Sequence, residues 1–101
     1  MKEILHLTLK RKWFDLIKSG DKKVEYREAK PYWIKRLYGR RFDEIYFRNG
    51  YSPDSPFIRV QCLDIVRVAD MFEIRLGDIL EVCDDRDKAR PEKRNPEQPI
   101  R

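Results

Sequence analysis

Histidine occurs once in the 101 residues and cysteine twice, and no apolar run approaches the ~20 residues that span a bilayer. Each scarcity excludes something. A solitary His6, with Cys62 and Cys83 far apart, excludes the common zinc patterns, which need close-spaced ligands. Two cysteines cannot build a disulfide scaffold, so they read as reduced thiols, buried as small hydrophobes in a cytoplasmic protein. The start, Met1-Lys2-Glu3-Ile4, has no long apolar stretch with a small-residue cleavage site, so no secretory signal is expected. Without a spanning segment, no membrane partner is expected. No cofactor and no metal are expected either.

What is present in excess is charge. Charged residues make up 41% of the chain, against ~25% in an average domain, so most of the surface must be charged. The hydrophobic fraction, also 41% with twelve aromatics, suffices for one modest core. The net charge of +5 is uneven: residues 1–62 carry +7 and residues 63–101 carry −2. Between Ala29 and Phe42 stand Lys30, Lys35, Arg36, Arg40 and Arg41 with no acid, and Tyr32, Trp33, Tyr38 and Phe42 lie among them. Cations that neutralise phosphates, beside rings on which bases stack, suit single-stranded nucleic acid. The same pattern also fits an amphipathic helix with a solvated basic face. Lys35, Arg36, Arg40 and Arg41 are the candidate nucleic-acid contacts.

The hydrophobic period changes several times along the chain. Leu5, Leu7 and Leu9 alternate with His6 and Thr8, which predicts a strand over Ile4–Leu9. Trp13, Phe14, Leu16 and Ile17 form a helical stripe over Arg11–Ser19, read as core, and Gly20 stops it. Lys22–Arg27 alternates again, with Val24 and Tyr26 on one face and Lys23, Glu25 and Arg27 on the other. Pro31 opens a short helix over Tyr32–Tyr38, closed by Gly39. Glu44–Phe47 is a short strand, Asn49-Gly50 a turn, and Tyr51–Pro56 a loop. Phe57–Val68 is a long strand with a bulge near Asp64. Phe72, Ile74 and Leu76 alternate up to a tight turn at Leu76-Gly77-Asp78, and Ile79, Leu80 and Val82 supply a last strand. Residues 84–101 hold eleven charged residues and three prolines, which predicts a mobile tail after a domain of residues 1–83. The count predicts an α+β domain: a small, mostly antiparallel β-barrel of five or six strands with two or three helices over its ends.

The most informative string is Gly20-Asp21-Lys22-Lys23-Val24-Glu25-Tyr26-Arg27. Read as Gly-x-Lys-x-x-Glu-x-Arg, it resembles the signature of the ASCH domain family. Leu5–Lys10, the Trp13-Phe14-Asp15-Leu16-Ile17 helix and Ile74–Glu81 are similar to that family as well, so the resemblance covers about residues 4–83. It implies a PUA-like barrel that binds RNA, a nucleotide or a nucleoside in a cleft beside the motif. Some members are hydrolases acting on N4-acetylcytidine or on RNA. In those amidohydrolase members a threonine, the proposed nucleophile, stands where this chain has Glu25, and a lysine matches Lys22. A glutamate that completes their site corresponds here to Glu73 or Glu81.

The residues themselves support a ligand site independently. Glu25 and Arg27 are two apart on a strand and leave the same face. A carboxylate and a guanidinium there can pair, or can present an acceptor and a fork of donors to a ligand. Lys22 adds a third charge at the same end, and Lys10 approaches it if the first two strands neighbour each other. Arg48, Asn49 and Tyr51 offer a phosphate clamp, an amide and a stacking ring on one turn. The expected ligand site is therefore Lys10, Lys22, Glu25, Arg27, Arg48, Asn49 and Tyr51. Lys22 and Glu25 are catalytic only if the protein is an enzyme, with Glu25 as general base on a water and Lys22 stabilising an oxyanion. The leading expectation is a monomeric binder of RNA or a nucleotide-like ligand. A small hydrolase acting on a modified nucleoside or on RNA (an amidohydrolase or ribonuclease) and a protein-interaction module are the alternatives.

Overall fold

The computed structural model describes residues 1–86. It is an α+β fold of five strands and two helices: β1 (Ile4–Thr8), α1 (Arg11–Ser19), β2 (Val24–Glu28), α2 (Pro31–Leu37), β3 (Glu44–Arg48), β4 (Phe57–Val68) and β5 (Met71–Cys83). The strands form one mixed sheet in the order β1-β3-β4-β5-β2. Only β1 and β3 are parallel, and the other neighbours are antiparallel. The sheet curls into a half-barrel, in agreement with the small barrel-like fold expected from the element count.

One core fills the concave side. Leu5 and Leu7 of β1, Ile45 and Phe47 of β3, Ile58 and Val60 of β4, and Phe72 and Ile74 of β5 point inward. Phe14 and Ile17 of α1 and Leu37 of α2 pack onto them. These two helices have few residues and gain most of their stability from this apolar face. At the end of α1, Gly20 takes a left-handed φ of 89° and returns its N–H to the Ile17 carbonyl at 3.0 Å.

Two corrections concern the last strand. No turn forms at Gly77-Asp78: β5 runs unbroken through it, so the described residues form five strands. Glycine here marks a close approach instead, since a Cβ on Gly77 would meet the Gln61 side chain and come within 3.0 Å of Leu63 Cδ2. Gln61 Oε1 accepts the Asp78 N–H at 3.3 Å, and the β4–β5 register shifts at three places between Arg59 and Asp64. These bulges bend the long ribbon. Its tip pairs with β2 and its base with β3, so the two outer strands, β1 and β2, turn toward each other. The second correction is that Cys83 is exposed, whereas Cys62 is buried as expected. Burial, with the Asp64 and Asp43 carboxylates nearby, pushes the Cys62 thiol up to about 11, which keeps it protonated and unreactive.

Asp84, Asp85 and Arg86 are the first residues of the tail expected from composition; residues 87–101 lie outside the described residues. Asp84 is buried against α1. Its carboxylate accepts from Arg86 Nη2 at 2.7 Å and Nε at 2.8 Å, from Lys18 Nζ at 3.0 Å and from the Arg86 backbone N–H at 3.1 Å. Those bonds, led by Arg86, hold its pKa well below the usual carboxylate range. A depressed carboxylate stabilises the fold above its unfolded pKa of ~3.9, and the effect is lost as pH falls toward the folded value. Asp84→Asn is therefore expected to cost about 1–3 kcal/mol at neutral pH. In urea unfolding, the gap between wild type and variant should be constant above about pH 5 and shrink below about pH 4.

Candidate functional site

The strand order leaves an open seam between β1 and β2, and the sequence-predicted site lies on it. The chain crosses that gap as α1, which starts beside the end of β1 and delivers Lys22 next to β2. The Lys22 N–H donates to the Leu16 carbonyl at 3.0 Å, which fixes the lysine to the last turn of the helix. Across the seam, Arg27 Nη2 reaches the Thr8 carbonyl at 3.5 Å. Asn49 Nδ2 donates to the Leu9 carbonyl at 3.0 Å, and the Leu9 N–H to the Arg48 carbonyl at 2.8 Å. These bonds hold the end of β1 and the loop after β3 at one mouth.

A cavity of about 640 Å³ opens there, lined by Thr8, Leu9, Lys10, Trp13, Lys22, Glu25, Tyr26, Arg27, Asn49, Gly50 and Tyr51. Its centre is Glu25, only 6% exposed. Glu25 Oε2 lies 3.1 Å from Arg27 Nη2, and Oε1 lies 3.4 Å from Lys22 Nζ. The charged face of β2 thus turns inward. Glu25 pairs in register with Ile74 and Arg27 with Phe72, so these ions continue the core where its apolar filling ends. A buried carboxylate is tolerated because two cations flank it.

Aromatic rings back the cations. Lys22 Nζ lies 5.3 Å from the Trp13 ring centroid and 5.2 Å from that of Tyr26. The Arg27 guanidinium lies 5.2 Å from the Trp33 ring, which fixes it from the α2 side. Arg27 Nε is buried and has no acceptor among the described residues. A buried N–H without a partner is costly, so this donor favours a ligand that brings an oxygen or a ring nitrogen.

Of the seven residues predicted to bind ligand, Lys10, Lys22, Glu25, Arg27, Asn49 and Tyr51 line this one cavity. Arg48 does not. Residues alternate along β3, so Phe47 points into the core while the Arg48 guanidinium lies 5.5 Å from the Phe57 ring. Neither glutamate suggested by the resemblance lines the cavity: Glu73 pairs with Arg75 and Glu81 with Arg59, each at 3.2 Å. Lys35 and Arg36 are exposed on α2, whereas Arg40 and Arg41 line a different cavity.

Thr8, Leu9, Trp13, Tyr26 and Gly50 join the lining without having been singled out as ligand contacts. Trp13, expected in the core with Phe14, is 41% exposed. Helix neighbours point ~100° apart, and Phe14 with Ile17 already occupies the core stripe, so that spacing was the available signal. Tyr26, 49% exposed on the face of β2 opposite Glu25 and Arg27, joins the lining at the edge of the strand, where its ring centroid lies 5.2 Å from Lys22 Nζ.

The cluster has a testable energetic signature. Glu25→Ala leaves Lys22 and Arg27 half-buried without their carboxylate, at an expected cost of about 1–3 kcal/mol. In a domain of this size each kcal/mol moves Tm by roughly 4–8 °C. The double variant Glu25→Ala with Arg27→Ala should melt higher than the sum of the two single losses, because both remove one shared interaction. Strict additivity in thermal denaturation would show that the two side chains do not support each other.

Compared with protein-family models and with curated proteins, the chain matches none of either.

Proposed function

We propose that this chain is an ASCH-type module that binds a nucleotide-like ligand, free or as part of RNA, in the cavity at the β1–β2 seam. One observation carries the reading: a buried carboxylate, Glu25, is held between Lys22 and Arg27 inside a cavity walled by Trp13, Tyr26 and Tyr51. A carboxylate is acceptor-only and suits an exocyclic amine; a lysine and an arginine are donor-only and suit carbonyl or phosphate oxygens. The rings supply faces on which a base stacks. Tyr51, 91% exposed on the rim, is free to close over such a base. The cavity volume of about 640 Å³ lies within the ~300–1,000 Å³ range of small-molecule sites.

The cationic half of the sequence, residues 1–62, contributes every one of these lining residues, which favours an anionic ligand. Hydrolysis of N4-acetylcytidine remains the second activity to assay in the same cavity. It would use Glu25 on a water, since this position carries no hydroxyl.

Titration calorimetry with nucleoside monophosphates and a short RNA tests the reading. Lys22→Ala and Arg27→Ala should each weaken binding by more than ~1 kcal/mol, about fivefold, and affinity should fall with salt. Unchanged affinity in both variants would place the ligand elsewhere. Turnover of N4-acetylcytidine by wild type, abolished by Lys22→Ala, would replace binding with amidohydrolysis as the function.

A further inference from the structure

The second cavity, about 610 Å³, is lined by Gly39, Arg40, Arg41, Phe42, Asp43, Gln61, Cys62, Leu63, Asp64 and Ile65. It lies at the start of β3, whereas the first lies at the end of that strand, so the two open at opposite ends of β3. The segment that joins them is α2 with the residues after it. At one end Trp33 backs Arg27 of the first cavity; at the other, Arg40 and Arg41 line the second.

The outward side of this segment is built unlike ordinary solvated surface. Tyr32, Lys35 and Arg36 stand at helical spacing on one exposed face, and Arg36 lies 5.4 Å from the Tyr32 ring. Tyr32 is 61% exposed and Tyr38 is 68% exposed, so two large rings face water along the path. Among the described residues, Lys35, Arg36 and Arg41 have no carboxylate within ion-pair distance, and Arg40 has only Glu3 at 3.8 Å. In the second cavity each acid has one contact: Asp43 Oδ2 accepts the Glu3 N–H at 2.8 Å, and Asp64 lies 3.8 Å from Arg75. The lining therefore carries two carboxylates and two guanidiniums, of which Arg41 has no carboxylate partner among the described residues. Phe42 and Ile65, with Leu63 at 59% exposure, give it an apolar side against which a base can rest.

We propose that the second cavity is a further subsite for the same ligand. This rests on the nucleotide reading of the first cavity and extends it. The ligand is then a single strand: one nucleotide sits against Glu25, the chain follows α2 past Tyr32 and Tyr38, and a later phosphate meets Arg40 and Arg41. Ring faces and cations in a row, with Lys35, Arg36 and Arg41 lacking a carboxylate partner among the described residues, favour this occupant over an acidic protein segment, which has little use for the rings.

Fluorescence anisotropy with labelled oligouridylates of one to eight nucleotides, and with the matching oligothymidylates, provides the test. Affinity of the wild type should rise with length until both cavities are filled. Arg40→Ser with Arg41→Ser should leave mononucleotide affinity unchanged, remove the gain with length and flatten the slope of log K against log salt by about 1.4. Arg11→Ser with Arg67→Ser, which removes the same charge elsewhere, should leave most of that gain. A ribose-only gain assigns the ligand to RNA, and an equal gain to either single strand; both support the second subsite. Mononucleotide binding with no dependence on length, or a gain untouched by Arg40→Ser with Arg41→Ser, would overturn the second subsite and leave the first standing. Binding of neither mononucleotide nor oligonucleotide would overturn both.

Discussion

The seam between β1 and β2 is the constraint on which the rest of the structure depends. A five-stranded sheet with these two strands outermost must leave their facing edges short of ladder partners. Here the gap is spanned by side chains. Arg27 reaches across to the Thr8 carbonyl, Glu25 holds Arg27, and Lys22 holds Glu25 from the other side. The charges that bridge the seam are therefore the charges that a ligand entering it would meet. Structure and site share one cluster, which is why the strand carrying it turns its polar face inward.

The bent β4–β5 ribbon makes that seam possible. A flat ribbon of this length would hold β1 and β2 far apart. The register shifts between Arg59 and Asp64, with Gly77 opposite them, let one ribbon pair with β3 at its base and β2 at its tip. The end of β5 is then tied to α1 through Asp84, Lys18 and Arg86. Because α1 also carries Trp13 and leads into Lys22, the far end of the ribbon and the cavity wall belong to one continuous set of contacts. Among the described residues, no helix is long and apolar enough to cross a membrane.

Cations backed by rings recur through the molecule. Lys22 lies near Trp13 and Tyr26, Arg27 near Trp33, Arg36 near Tyr32 and Arg40 near Phe42. A guanidinium on a ring is weakly hydrated and held in plane, so its donors remain available at little entropic cost. Such pairs suit a ligand that alternates negative charge with flat rings, as a nucleotide chain does.

The sequence by itself determined the α+β class, both helices with their glycine and proline boundaries, and the strands whose alternation is strict. Periods of two and of about 3.6 are local properties, and β1, α1 and β3 obey them. Six of the cavity's eleven lining residues were singled out from the sequence, and for Glu25 and Arg27 the reason is the same: spacing on a strand puts them on one face wherever the strand lies. Tertiary structure alone decided which face of β2 is inward, because burial there comes from flanking cations and not from apolarity. It alone showed that Gly77 is a close approach within one strand instead of a turn, since that depends on Gln61 across the ladder. It also moved Arg48 out of the cavity and brought Trp13 into it. Both are set by how elements distant in sequence pack, and no local period encodes that.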